Sequence, residues 1–315
     1  MKMKKLVTGF AMVALSTLVL AACGGNNDSG SASSESTAAS SAAESTATSE
    51  SAAPVKEAGA DLQDGTYKLE EKNYSNGYRT VFEIVVKDGK IAESKYDNIN
   101  EDGKSKTEDA DYEKNMKDKT GVGPAEFIPE LNKQLVAAQS AGGVEVVTGA
   151  THSTESFQNY AQQLIQAAQA GKTDTIEIDN GADLKDGTYT LEEKNYSNGY
   201  RVSFKMTVKD GKVTESNYDN VSEDGKSKKD DADYQAQMHD KAGVGPAEFI
   251  PKFNEEFVKA MEGKDGEAGS PADMEVVTGA THSFHSFVIY AEQMINAAEK
   301  GDTTPIEVDN IVMAK

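Results

Sequence analysis

The sequence is poor in the residues that build most inorganic redox centres. It holds one cysteine, Cys23, and four histidines among 315 residues. A single thiol excludes an internal disulfide, a C-x-x-C redox pair, C-x-x-C-H haem attachment and thiolate-held iron–sulfur clusters. If such a chain carries electrons, an organic cofactor must supply them. Basic charge is also scarce, with 32 Lys and Arg against 53 Asp and Glu. That balance argues against nucleic acid as a partner and against a polybasic grip on anionic lipid, and it suits solubility outside a cell. Beyond residue 20 no apolar run approaches the roughly 20 residues that a membrane-spanning helix needs.

The N-terminus is richer in signal. Lys2, Lys4 and Lys5 precede an uncharged, mostly apolar run over residues 6–20, and Ala21 and Ala22 lead into Cys23. A positive start, a short apolar stretch and small residues at a cut site read as a secretory signal peptide over residues 1–22. The cysteine at the cut resembles a bacterial lipobox, in which the thiol is lipidated and becomes the first mature residue. Acyl chains contribute about 0.8 kcal/mol per buried methylene, so they anchor a protein without a transmembrane helix. Residues 23–58 continue with Ser, Ala, Glu, Thr and Gly as the main types. That composition holds too little apolar side chain to offset its ordering entropy, so a disordered tether with a typical reach of about 30–35 Å is expected.

The rest of the chain repeats itself. G-A-D-L at Gly59 returns at Gly181, a spacing of 122, and the spacing holds through G-V-G-P-A-E-F-I-P at Gly121 and Gly243. By the phrase T-G-A-T-H-S, at Thr148 and Thr278, the spacing is 130. Eight extra residues therefore fall in the Gly- and Asp-rich stretch 263–273, which reads as a surface loop. A repeat of this length is domain-sized. Two tandem domains, 59–180 and 181–310, are expected, with a short tail at 311–315.

Each copy carries the same coarse pattern. In the first, D-G-T-Y opens a strand over residues 64–74, Asn76 and Gly77 make a turn, residues 78–87 alternate as a second strand, and Asp88 and Gly89 turn into a third near 90–97. Residues 98–119 are acidic and polar with no clear period. Leu131, Leu135 and Ala138 share one helical face, as do Phe253, Phe257 and Met261 in the second copy. Residues 144–147 read as a short apolar strand, residues 156–170 as a helix with Tyr160, Leu164 and Ala168 on a face, and residues 175–178 as a closing strand. An antiparallel sheet with helices packed on it defines an α+β domain.

T-G-A-T-H-S thus falls between an expected strand and a helix N-terminus, where backbone N–H groups and the helix dipole favour an anion such as phosphate. Gly149 permits a tight turn, Ala150 keeps the site open, and Ser153, Thr154 or Ser156 can cap the helix. Helix capping alone is the competing reading of these hydroxyls.

The phrase resembles the S/T-G-A-T sequence of the FMN-binding domain family, found in subunits of sodium-pumping and related membrane oxidoreductases. Its context resembles that family too, because both copies open with D-G-x-Y and the first continues with V-V-K-D-G-K. The resemblance implies two FMN groups, each joined through its phosphate by a dedicated flavin transferase to the last threonine, Thr151 and Thr281. Thr148, Gly149, Ala150 and Ser153, with Thr278, Gly279, Ala280 and Ser283, would surround them. The family usually has an acidic residue three positions before the phrase, often Asp, and Glu145 and Glu275 stand there. Phe127 and Phe249 are candidates for flavin-ring contacts or, equally, for core packing. Tyr78 and Tyr200 stack on a ring or pack on the sheet, and His152 and His282 face the phosphate or solvent. No catalytic residue and no metal site is expected, since His282 and His285 find no counterpart pair in the first copy and the acidic turn at 97–103 matches a calcium loop only loosely.

The layout as a whole is similar to lipoproteins of extracellular electron transfer in Gram-positive bacteria. It implies a carrier on the outer face of the cell membrane, taking electrons from a membrane NADH dehydrogenase and the quinone pool and passing them to acceptors such as ferric iron. Residues 14–21 also resemble hydrophobic peptide pheromones released from lipoprotein leaders. The competing class is an extracellular ligand- or wall-binding lipoprotein without a redox role.

Overall fold

A computed structural model describes residues 56–264 and 268–314. The expected leader, Cys23 and the tether up to residue 55 lie outside the described residues. The chain runs β1 (Lys56–Ala58), β2 (Gly65–Glu71), β3 (Arg79–Lys87), β4 (Lys90–Ile99), α1 (Ala110–Thr120), α2 (Pro124–Ala138), α3 (Thr151–Ala170) and β5 (Ile176–Ile178). The second copy follows as β6 (Gly187–Glu193), β7 (Arg201–Lys209), β8 (Lys212–Val221), α4 (Ala232–Ala242), α5 (Pro246–Ala260), α6 (Thr281–Lys300) and β9 (Ile306–Val308). A last strand, β10 (Val312–Met313), pairs antiparallel with β1. The segments expected to be tether end and tail are therefore tied to each other.

The strands form where alternation is strict. In β3, Thr80, Phe82, Ile84 and Val86 point inward while their neighbours face outward, which gives the sheet one dry face. Asn76 and Gly77 have φ of 51° and 82°, and Asp88 and Gly89 have 53° and 70°, so both tight turns use left-handed backbone that suits the twist of the strands they join. Strand order is β4-β3-β2-β5, repeated as β8-β7-β6-β9. The first three strands are the expected antiparallel meander, and the closing strand lies parallel to β2, which makes each sheet mixed.

Helices α2 and α3 cover the dry face of the first sheet. Leu131, Leu135, Phe157, Leu164 and Ala168 are completely buried against Phe82, Ile84 and Leu69. Phe82, Tyr96 and Phe157 meet at ring-centroid distances of 4.9–5.3 Å, a compact aromatic centre. Asn132 fixes α2 to β4: its Oδ1 accepts from the Tyr96 N–H at 2.7 Å and the Ser94 hydroxyl at 2.7 Å, and its Nδ2 donates to the Tyr96 carbonyl at 2.9 Å. Asn254 repeats all three bonds on Tyr218 and Ser216.

Three expectations are corrected. The stretch 98–119 contains α1, capped by Asp109 accepting from the Tyr112 N–H at 2.8 Å. The helix buries no residue, so it leaves no apolar period to read. Residues 144–147 are not a strand. Their backbone groups go to side chains instead: Gln134 Oε1 accepts from the Glu145 N–H, Gln158 Nε2 donates to the Val144 carbonyl, and Thr154 Oγ1 accepts from the Val147 N–H. Finally, α3 begins at Thr151, five residues ahead of the expected start, and α6 likewise begins at Thr281.

The repeats meet along α3 and α6. Gln166 and Gln293 exchange hydrogen bonds at 3.1 and 2.8 Å, and Gln163 Nε2 donates to Asn296 Oδ1 at 3.0 Å. A later residue of one helix thus meets an earlier residue of the other, so the two run antiparallel. Among the described residues no helix is long and apolar enough to cross a membrane.

Candidate functional site

Each T-G-A-T-H-S phrase forms the last turn before a long helix. Gly149 adopts φ +84°, and a Cβ there would collide with the Thr120 carbonyl oxygen at the end of α1. Gly279, at φ +85°, stands against the Ala242 carbonyl in the same way. Only glycine meets both demands, left-handed backbone and close approach. The Ala150 N–H then donates to the Val147 carbonyl at 2.9 Å, and Ala150 becomes the residue that precedes the helix.

Ala150 offers no side-chain cap, and neither does Ala280. The Thr154 N–H is the first of the helix to find a backbone acceptor, at Ala150. The N–H groups of Thr151, His152 and Ser153 stand ahead of it in the first helical turn, the part of a helix that lacks internal acceptors. Ser153, Thr154 and Ser156 do not cap, which corrects the expectation from sequence. Thr154 is fully buried and instead donates to the Ala150 carbonyl at 3.0 Å, locking the turn behind the helix start. Phe284 takes its place in the second copy, also buried, so there the turn is held by packing.

Thr151 and Thr281 are exposed at the first helical position, with Thr148 and Thr278 exposed beside them. Ser153 and Ser283 are partly exposed two residues on. The structure therefore gathers Thr148, Gly149, Ala150, Thr151 and Ser153 on one helix start, and Thr278, Gly279, Ala280, Thr281 and Ser283 on the other. His152 and His282 are exposed. Phe127 and Phe249 stand apart from this group. They are 2% and 1% exposed inside the two cores, so neither has a free ring face to offer, and burial matches the packing alternative. Tyr78 packs likewise: it is buried, its hydroxyl donates to Asp109 at 2.6 Å, and its ring meets Tyr112 edge-on.

A further pair escaped the sequence reading. The Tyr160 hydroxyl donates to Glu71 Oε1 at 2.6 Å, and Glu71 Oε2 accepts from the Thr80 N–H at 2.7 Å. Tyr290, Glu193 and Val202 repeat this at 2.7 and 2.9 Å. Burial raises the Glu193 carboxyl above its ordinary value, and the Tyr290 hydrogen bond opposes that. The only sequence signal was the identical E-E-K-N-Y run in both copies, and that run does not say which helix residue answers it.

An exposed hydroxyl beside unpaired N–H groups, a collapsed glycine and an uncapped alanine fit a phosphate ester at the helix start. The family model of the FMN-binding domain matches residues 77–166. The "15 kDa lipoprotein" of Treponema pallidum (strain Nichols) is 32% identical over 118 residues, 37% of this chain and 84% of that one. The crystal structure of the CPE2226 protein from Clostridium perfringens is 39% identical, with 37% of this chain and 97% of that chain covered at a TM-score of 0.36. The family match makes this α+β domain a flavin-binding module by class. The chain belongs to the FMN-binding domain family. The match falls on the first copy, and the second copy repeats its strand order and its helix start.

Proposed function

We propose that this chain is a lipid-anchored flavoprotein that carries electrons on the outer side of a cell membrane, with FMN joined through its phosphate to Thr151 and a second FMN to Thr281. The observation that supports this most is the pair of exposed threonines, each at the first position of a 20-residue helix and each behind a glycine that only glycine can replace. A phosphodiester needs a presented hydroxyl rather than an activated one, because the flavin transferase brings the catalytic groups. Once bound, FMN supplies one- and two-electron redox chemistry.

The chain's own residues do the holding. The free N–H groups of the first helical turn offset phosphate charge. Ser153 and Ser283 add a hydroxyl at each site, while Ala150 and Ala280, expected to keep it open, are buried in the two cores behind it. The lipoprotein name of the spirochaete relative agrees with lipidation at Cys23. A donor at the membrane, an NADH dehydrogenase working through quinone, and an external acceptor such as ferric iron complete the path. The two hydroxyls lie at opposite ends of the antiparallel helix pair, separated by about 27 residues of helix or roughly 40 Å. Each site is therefore open to a donor or an acceptor independently of the other.

The test uses mature protein secreted with a flavin transferase and added to membranes supplied with NADH. The flavin absorbance should bleach on NADH and return on ferric iron. Absorbance that never changes would leave a ligand- or wall-binding lipoprotein as the better reading. Release of a pheromone from the leader is separate, and deleting residues 59–310 while keeping the leader would abolish signalling if the leader had no such role.

A further inference from the structure

The two acceptor sites face different surroundings, although their phrases are identical. Beside the start of α6 lies a cavity of about 240 Å³ built from both copies. His282, Ser286 and Tyr290 line it from α6, on one stripe at intervals of four, and Gln162, Gly142 and Ile165 line it from the first copy. Tyr290 is fixed there by its bond to Glu193, which is itself held by the Val202 N–H. The cavity begins one residue beyond Thr281 and follows α6 for about 12 Å.

The corresponding place beside α3 carries a different set of groups. Applying the 130-residue spacing, Gln162 of the cavity wall corresponds to Glu292 on the other side, where Glu292 and Asp273 act on Glu155. Ser270 donates to Glu292 at 3.1 Å, and Glu155 Oε2 is buried without a hydrogen-bond partner among the described residues. Glu155, Glu292 and Asp273 thus act on one another on the Thr151 side, whereas Gln162, the counterpart of Glu292, brings no charge to the cavity wall.

We propose that the cavity between the copies is the seat of the flavin ring carried by Thr281, so that this site is completed by the first copy, whereas the ring on Thr151 has no such seat. The proposal rests on the flavin reading of Thr281. Three observations carry it. The cavity starts at the acceptor's neighbour and extends along the same helix face, which is where a ring linked through a ribityl chain reaches. At about 240 Å³ it falls below the roughly 300–1,000 Å³ of sites that hold whole ligands. That suits one end of a molecule already held by a covalent bond. Its walls combine the Tyr290 ring, Ile165 and Ile289 with the amide of Gln162, the hydroxyl of Ser286 and the carboxylates of Glu193 and Asp309, apolar surface with a few polar groups such as a flat heteroaromatic ring with polar edges requires.

The experiment uses full mature chains loaded in cells and carrying a single flavin, through Thr151→Ala or Thr281→Ala. Gly142→Trp is introduced into each. The space around a Gly142 Cβ is open, so the indole enters without displacing backbone. A tryptophan beside a flavin ring quenches its emission by photoinduced electron transfer. Emission from the Thr281 flavin should fall severalfold, and emission from the Thr151 flavin should stay as it was. Gln162→Trp approaches the cavity from α3 and should act alike, which covers the case that the first variant folds poorly. Equal changes at both flavins, or none at Thr281 with either tryptophan, would overturn the seat. Absence of any FMN adduct on Thr281 by intact mass would remove the flavin reading itself, a separate failure.

Discussion

Gly149 leaves no room for a Cβ beside the Thr120 carbonyl oxygen at the end of α1, and Gly279 leaves none beside the Ala242 carbonyl oxygen. A helix that buries nothing of its own thereby sets the turn that leads into Thr151. Gly149→Ala should cost about 1–3 kcal/mol through strained left-handed backbone, with the steric clash adding to it. Urea unfolding followed by far-UV circular dichroism measures this. Loading of Thr151 should drop at the same time while loading of Thr281 is kept, and an unchanged Thr151 yield would show that the turn does not position the hydroxyl.

Tyr160 joins α3 to the sheet through Glu71. Tyr160→Phe removes the donor and leaves a partly buried carboxylate one partner short, at an expected cost of about 1.5–3 kcal/mol. Tyr290→Phe should behave alike through Glu193. Denaturant midpoints of the two variants check this, and a loss near zero in both would mean that water replaces the phenol.

Stability should depend on pH near neutrality through the contact between copies. Burial pushes the Glu155 carboxyl up to about 7, helped by the charges of Glu292 and Asp273. Burial also pushes Glu292 to about 7, against the opposing bond from Ser270. A carboxyl raised above its unfolded value of about 4.3 binds more protons folded than unfolded, so stability falls as pH climbs from about 4 to about 7. Glu155→Gln should therefore raise Tm at pH 8 and leave it nearly unchanged at pH 4.5. Parallel Tm-against-pH curves for the variant and the parent would contradict this.

Much of the fold was legible because alternation and turn chemistry are strict where a sheet buries one face. Phe82, Ile84 and Val86 announce β3, and Asp88 with Gly89 announces its end. Helix α1 was not legible because it has no buried side to impose a period, only a cap at Asp109. Residues 144–147 looked like a strand because their valines are apolar, yet Gln134, Thr154 and Gln158 take the backbone bonds that a neighbouring strand would have made. The two helix starts at Thr151 and Thr281 were visible as a repeated phrase in the sequence. The cavity beside one of them was not, because Gly142, Gln162 and Tyr290 are brought together only by the packing of one copy on the other.

The central claim is that Thr151 and Thr281 each carry FMN, and intact-mass measurement of mature protein co-produced with a flavin transferase tests it most directly. The account predicts yellow protein whose mass exceeds that of the lipid-free chain by two FMN adducts, falling to one adduct in Thr151→Ala or Thr281→Ala and to none in the double variant. Colourless protein of unmodified mass, or adducts that survive in the double variant, would contradict it.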